Sequence, residues 1–363
     1  MVKENQIIAA LLGFISAVLL VVVLKSLQAF FIPLAFAILL YEVLRPVVDF
    51  AGEKLRVPMW LSLAVMTLFS FFIIYLSGLL VYANVNKFVA EFPRYEASLE
   101  QTLETTLQQI NLPMEDFQAY ITSTDMASRL EGIDVTSIVS STLGSFFTFL
   151  GYFILVLILT LFIFSGPKTA QRLAIAFPRE RAKKISLILN AIRSKVRKYL
   201  IVKIFISAMT GLTGVAFTLM FNVDFAIFAG LLLFAFNFIP NIGSIVASAF
   251  PVLICFLEYG YSWKVPGLAI AMTATQMFYG NYLEPVLMGR WLNLSPLVVI
   301  LSLIFWGWVW GIIGMVIAVP LTSTFIIVFE NVPSLRPLAV LMSGGKSISP
   351  AEETTEEPSS TNI

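Results

Sequence analysis

The sequence predicts an all-α polytopic membrane protein with about eight transmembrane helices, one or two broken or re-entrant helix pairs, and an amphipathic helical extracytoplasmic insertion. Three observations carry this. The chain is 58% hydrophobic and only 12% charged, where a soluble domain carries about 25% charged residues. Apolar runs at 7–24, 27–44, 60–83, 146–164, 204–221 and 265–282 reach or approach the ~20 residues that cross a bilayer. Two further apolar stretches, 225–257 and 297–329, are interrupted by Gly and Pro. A β-barrel would read instead as alternating segments of about ten residues.

In chain order, residues 1–83 hold the first three membrane helices. The first run is too long for the apolar core of a signal peptide. No small-residue cleavage site follows it, and a second span begins almost at once, so a retained helix is expected. Residues 84–142 form an acidic, helical, extracytoplasmic segment. Its acids are Glu91, Glu96, Glu100, Glu104, Glu115, Asp116, Asp125, Glu131 and Asp134, against Lys87, Arg94 and Arg129, a balance of −6. Residues 143–165 are the fourth span. Residues 166–203 are a cytoplasmic basic amphipathic segment, eleven Lys and Arg against Glu180 alone, a balance of +10. Lys and Arg accumulate in cytoplasmic loops, which puts 166–203 inside and 84–142 outside. Arg45, Lys54, Arg56 and the N-terminus then fall inside as well, and the chain reads as a multi-pass protein of a bacterial inner membrane. Residues 204–330 form a C-terminal transmembrane bundle with broken helices. Residues 331–363 are a tail, largely disordered, with Glu352, Glu353, Glu356 and Glu357 among Ser, Thr and Pro.

Each polar segment has an apolar face. Phe88, Phe92, Tyr95, Leu99, Leu103, Leu107 and Ile110 recur every three or four residues, one stripe on a helix. That stripe is buried either on the chain's own membrane domain or on a neighbouring subunit. A second helix is expected over 133–143. In the basic segment Ile185, Ile188, Ile192, Val196 and Tyr199 share a face, with Lys184, Lys195, Arg197 and Lys198 elsewhere. Such a helix lies on the anionic inner leaflet. Membrane lipids are therefore expected partners, and nucleic acid is not.

Composition removes several function classes. There is no histidine, so histidine-based catalytic triads are excluded and the commonest metal ligand is missing. Cys255 is the single cysteine, which leaves no intrachain disulfide and no thiol-rich metal site. No P-loop pattern is present, so no ATP-driven pump is supported. No enzyme, cofactor or metal site is expected.

The informative stretch is 225–257. Its first half, Phe225–Phe238, is too short to cross a bilayer straight. It ends in Asn237-Phe238-Ile239-Pro240-Asn241-Ile242-Gly243-Ser244 before a second short apolar stretch begins. Broken segments with polar groups at mid-depth mark transport sites. Pro240 removes a backbone donor and blocks the helix, and Asn237, Asn241 and Ser244 donate or accept hydrogen bonds. That chemistry suits a small neutral polyol-like solute, or a dehydrated cation held by carbonyls; the bland alternative is a kink satisfied by neighbouring helices.

Ionisable residues near membrane depth are costly. Glu42, Asp224, Glu258, Glu284 and Glu330 all sit near the ends of apolar runs, and for Glu42, Glu258 and Glu330 a solvated position is expected. Glu284 stands apart in Gly280-Asn281-Tyr282-Leu283-Glu284-Pro285, with Gly289-Arg290 following. Glu284 and Arg290 make either a gate or a structural pair. The run 297–329 is too long for one straight span. It is either a steeply tilted helix or a second broken pair hinged near Trp308–Gly311. Trp306, Trp308 and Trp310 form an interfacial belt or line a solute site.

The stretches FAFNFIPNIGSIVASAFP (234–251), GNYLEPVLMGRWLNLSPLVVILSLIFWGWVWGIIGMVIAVPLT (280–322) and, more loosely, FIPLAFAILLYEVLRPVVDF (31–50) resemble the autoinducer-2 exporter (AI-2E) family. The resemblance covers nearly the whole chain and is weakest in the acidic segment and the tail. It implies export of autoinducer-2, a small, highly hydroxylated quorum-sensing signal. It also implies assembly as a homo-oligomer, a pentamer being one form open to it, with the subunit number left open. Some members resemble sodium/proton antiporters in activity, so monovalent cations are the alternative cargo. The resemblance implies no catalytic residue set. Three classes remain: a non-ATP-driven exporter with a path past Asn237, Pro240, Asn241, Gly243, Ser244, Asn281, Glu284 and Arg290; a cation/proton antiporter titrating Glu284 or Asp224; and a structural or scaffolding membrane protein.

Overall fold

The computed structural model describes residues 2–109, 135–166, 169–240, 242–289 and 294–344, and these are almost entirely helical. Among them, six helices are long and apolar enough to cross a membrane, with shorter apolar helices beside them. The chain is a multi-pass α-helical membrane protein. It divides into two compact units, residues 1–168 with 197–289, and residues 169–196 with 290–363.

The first unit begins with α1 (Val2–Ser26), α2 (Gln28–Lys54), α3 (Met59–Gln109) and α4 (Val135–Ser165). Helices α2 and α4 approach closely at Ala37, which is fully buried. The Thr160 hydroxyl there donates to the Val156 carbonyl of its own helix at 2.7 Å and reaches the Ala37 carbonyl at 3.4 Å. Tyr41 meets Phe164 edge-on at 4.6 Å. One expectation changes here. Glu42 is buried rather than solvated, because Arg197 Nη2 donates to its carboxylate at 3.1 Å, and a buried carboxylate is tolerated where a cation meets it.

Helix α3 has 51 residues, about 77 Å of helix. That exceeds twice the ~30 Å hydrocarbon thickness, so much of it stands outside the bilayer. There is no break near residue 84; the third span and the start of the acidic segment are one helix.

The rest of the unit is α6 from Arg197 on (α6 as a whole is Arg179–Met220, after α5, Thr169–Ala176), α7 (Ala226–Phe236), α8 (Ile242–Tyr259), α9 (Lys264–Gln276), a π-helical segment (Met277–Leu283) and α10 (Glu284–Met288). Helix α7 has 11 residues, about 17 Å, and cannot cross a bilayer. The chain reverses after it, and α8 returns alongside. Phe228 meets Phe250 at 5.3 Å, and the Asp224 N–H donates to the Glu258 carboxylate at 2.9 Å. Residues 34 apart in sequence are thus neighbours at the hairpin's base, with the Asn237–Ser244 stretch at its tip. Leu233, Ile254, Cys255, Leu268 and Met272 fill the core between α7, α8 and α9. Gly211 of α6 and Gly230 of α7 lie back to back: a Cβ on either would stand 2.7–2.8 Å from the other's carbonyl oxygen. Small residues permit this backbone approach in membrane helices, where packing rather than water exclusion drives association.

The base of the hairpin is tied to α3. Lys87 Nζ donates to Asp224 at 2.6 Å and lies 5.1 Å from the Phe225 ring centre. The Tyr95 hydroxyl donates to Asp224 at 3.4 Å. Phe88 and Tyr95 pack on Phe225, so at these two positions the apolar stripe is buried on its own chain. Burial pushes the Asp224 carboxyl up, but the hydrogen bond and charge of Lys87 more than offset this and hold it below the usual carboxylate range. Residues 135–143 of the expected second helix are the opening turns of α4, continuous with the fourth span; Ile110, residues 133–134 and the tail from 345 lie outside the described residues.

The second unit contains α5, the first part of α6, α11 (Pro296–Glu330) and α12 (Arg336–Met342). Helix α11 leaves helical geometry at Trp310 (φ −128°, ψ 16°) and Gly311 (φ 64°, ψ −148°). The Trp306 indole N–H donates to the Thr322 hydroxyl at 3.3 Å, and its ring stacks on Phe325 at 6.1 Å. Sixteen residues of straight helix would separate 306 from 322 by about 24 Å. The run 297–329 is therefore a folded-back pair and not one tilted helix. Trp306 and Trp310 are buried, while Trp308 is exposed; the three do not form one belt.

Candidate solute site at the hairpin tip

The tip of the α7–α8 hairpin forms one wall of a cavity of about 270 Å³. Asn237, Pro240, Ser244 and Ile245 come from the tip, Lys203 from α6, and Thr273, Gln276, Met277, Gly280, Asn281 and Glu284 from α9 through α10. Small-molecule pockets commonly hold about 300–1,000 Å³, so this one is at the small end of that scale.

Each wall has a local cause. Asn237 caps α7, and its side-chain amide donates to the Ser207 hydroxyl of α6 at 3.0 Å. That bond fastens the tip to α6 while Pro240 forbids continuing the helix. The opposite wall is π-helical over Met277–Leu283, with the Glu284 N–H reaching back to the Tyr279 carbonyl. π turns bulge a helix and recur at functional sites. The Tyr279 hydroxyl lies 3.1 Å from that of Thr213, anchoring the bulge to α6. Pro285 follows at the start of α10 and supplies no N–H to the carbonyls behind it.

One ion pair supplies the charge of the cavity. Lys203 Nζ donates to both carboxylate oxygens of Glu284, each at 2.8 Å. The Lys203 side chain is 3% exposed and that of Glu284 18%. Sequence reasoning took Arg290 as the neighbour of Glu284; the described partner is Lys203, 81 residues away, and Arg290 itself lies outside the described residues. Tyr199 lies one turn before Lys203 on α6. Its hydroxyl is buried without a hydrogen-bond partner, and so is Gln276 Nε2 on the cavity wall.

Of the expected path residues, Asn237, Pro240, Ser244, Asn281 and Glu284 line this one cavity. Gly243 is buried just behind, where a Cβ would run into the Phe236 carbonyl. Asn241 lies outside the described residues. Sequence reasoning missed Lys203, Ser207, Thr273 and Gln276. A signal existed: Tyr199, Lys203, Ser207, Thr210, Gly211, Gly214 and Thr218 recur at helical spacing and draw one polar and small-residue stripe along α6.

The model of the AI-2E family transporters matches residues 12–334. The chain belongs to the AI-2E family. Among relatives of this AI-2E protein, "AI-2 transport protein TqsA" of Escherichia coli K12 is 35% identical over 318 residues, covering 86% of this chain and 89% of the relative. A Haemophilus influenzae protein described as "Putative transport protein" is 30% identical over 341 residues, covering 92% and 95%. A similarly described protein of Mycobacterium tuberculosis is 26% identical over 312 residues, covering 84% and 83%.

Proposed function

We propose that this AI-2E chain is a non-ATP-driven exporter of a small polar signal, autoinducer-2, across the bacterial inner membrane. What supports this reading is the hairpin-tip cavity. It is small, and amides and hydroxyls line it (Asn237, Gln276, Asn281, Ser244, Thr273) beside a charge-balanced pair. Hydroxyls of a polyol-like solute find both donors and acceptors there. The name of the E. coli relative supports the same solute. The N-terminus lies inside on this reading, and the assembly is a homo-oligomer. The exposed apolar faces of α1 and α3 are then covered by lipid or by neighbouring subunits.

The test is efflux of autoinducer-2 from cells carrying Asn281→Leu. Asn281 lines the cavity and is not buried, so the fold tolerates the change. Loss of one or two solute hydrogen bonds lowers efflux about tenfold with unchanged protein in the membrane. Wild-type efflux from that variant would sink the reading.

A second reading is monovalent cation/proton antiport, favoured by the Glu284 carboxylate at the cavity. A metal cation coordinated by both oxygens has to displace the Lys203 ammonium, which donates to each of them. That competition favours the neutral solute. Sodium-driven proton movement in vesicles, without autoinducer-2, would reverse the preference.

A further inference from the structure

The Lys203–Glu284 pair has a consequence for how export is driven. A carboxylate offers about four acceptor positions on its two oxygens. Lys203 takes one on each oxygen, both at 2.8 Å, and the carboxylate lines a cavity whose other polar groups, Lys203 apart, are neutral amides and hydroxyls. A solute hydroxyl entering that cavity donates to the remaining positions. A proton on Glu284 takes up one of the same positions and cancels the charge that makes the carboxylate a strong acceptor.

We propose that autoinducer-2 and a proton compete for the Glu284 carboxylate, so that one proton enters the cell as one solute molecule leaves. This rests on the export reading above and supplies its energy source. The solute-bound form has an ionised Glu284 held by Lys203. The proton-bound form has a neutral carboxylic acid, whose unprotonated oxygen still accepts from the Lys203 ammonium, and an empty cavity. The proton is taken up on a Glu284 oxygen from the outer side and released to the inner side, Lys203 stays an ammonium throughout, and no other bond changes.

The groups around Glu284 fit this single proton. From α6 it faces Lys203, with Tyr199 one turn before it on the same helix. From the hairpin tip and from α9, the described residues lining the cavity are uncharged: Asn237, Ser244, Thr273 and Gln276. No second carboxylate therefore shares the site among the described residues. The orphaned Tyr199 hydroxyl and Gln276 Nε2 are buried polar atoms still lacking a partner. Such atoms are costly unless a ligand or water meets them.

The experiment uses the full-length protein in proteoliposomes, with autoinducer-2 as the probe and the membrane potential clamped at zero. Vesicles acid inside are expected to accumulate autoinducer-2 about tenfold per unit of pH difference for one-for-one exchange, with protons leaving as it enters. Exchange of labelled for unlabelled autoinducer-2 without a gradient is measured alongside. Exchange without gradient-driven accumulation overturns the coupling and leaves the export reading standing. Absence of exchange in wild type overturns both. In Glu284→Gln the residual exchange is expected to lose its pH dependence, whereas Glu284→Asp keeps it; residual Glu284→Gln exchange that still tracks pH overturns the proposal. A readout independent of any variant is proton release when autoinducer-2 is added to weakly buffered wild-type protein in detergent. Up to one proton per chain is expected, and no release at any pH overturns the proposal.

Discussion

Replacing Lys203 by methionine removes the ammonium and keeps most of the side chain's length. Glu284 then loses both of its 2.8 Å bonds in a place where its own side chain is 18% exposed. Breaking a buried ion pair by removing one partner costs about 3–5 kcal/mol, because the remaining charge is uncompensated. The residual exposure of Glu284 puts the expected loss at the lower end, about 3 kcal/mol. Lys203→Met/Glu284→Gln leaves no charge behind and is expected to regain about 2 kcal/mol of that loss, since a neutral pair can replace a buried ionic one at little cost. The assay is denaturant-induced unfolding in detergent for the four proteins of this double-mutant cycle. Additive losses would refute the reasoning: they would mean that the two side chains do not depend on each other.

Three further outcomes follow from other parts of the fold. Gly311→Ala is expected to destabilise by roughly 1–3 kcal/mol in the same assay: its φ of 64° and ψ of −148° suit glycine, and nothing lies within 4 Å of the added Cβ, so the cost is backbone strain alone. Trp306→Phe removes the indole donor to Thr322 and is expected to lose about 1 kcal/mol, with no loss expected where Thr322 is already valine. Lys87→Met acts through pH. Asp224 is held below its unfolded value, so it contributes stability above the unfolded pKa that is lost as pH falls through the folded one. Without Lys87 the burial of Asp224 remains, so melting at neutral pH drops while the acid-side decline shrinks; an unchanged acid decline would show that Lys87 is not the cause.

The parts of this fold that were legible in the sequence are those written in local chemistry. Pro240 and its asparagines stop a helix where they stand, and the hairpin tip follows from them. The glycines and proline of 297–329 left a tilt and a hinge near Trp308–Gly311 both open, and the contact between Trp306 and Thr322 decided for the reversal. The stripe from Phe88 to Tyr95 announced a buried face without naming its cover, which proved to be Phe225. What was not legible is pairing across distance. Glu42 reads as an interfacial carboxylate until Arg197 is found beside it, 155 residues on. Counting charge by segment placed Lys203 with ten other bases of a surface helix. Yet α6 runs unbroken from Arg179 to Met220, and no residue in it marks where the bilayer begins.

Lys203 shows why charge counts mislead at such a boundary. The positive-inside rule needs only that bases be numerous on one side, and it is indifferent to any one of them. A base on the buried stripe of α6, in register with Tyr199 and Ser207, belongs to a different problem. It must meet an acceptor or pay the full desolvation cost of an isolated ammonium. The only strong acceptor within reach is the carboxylate that the π bulge of 277–283 carries toward α6 among the described residues. The bulge, the proline after it and the buried Lys203 are therefore one arrangement. Its failure as a unit, rather than residue by residue, is what the double-mutant cycle measures.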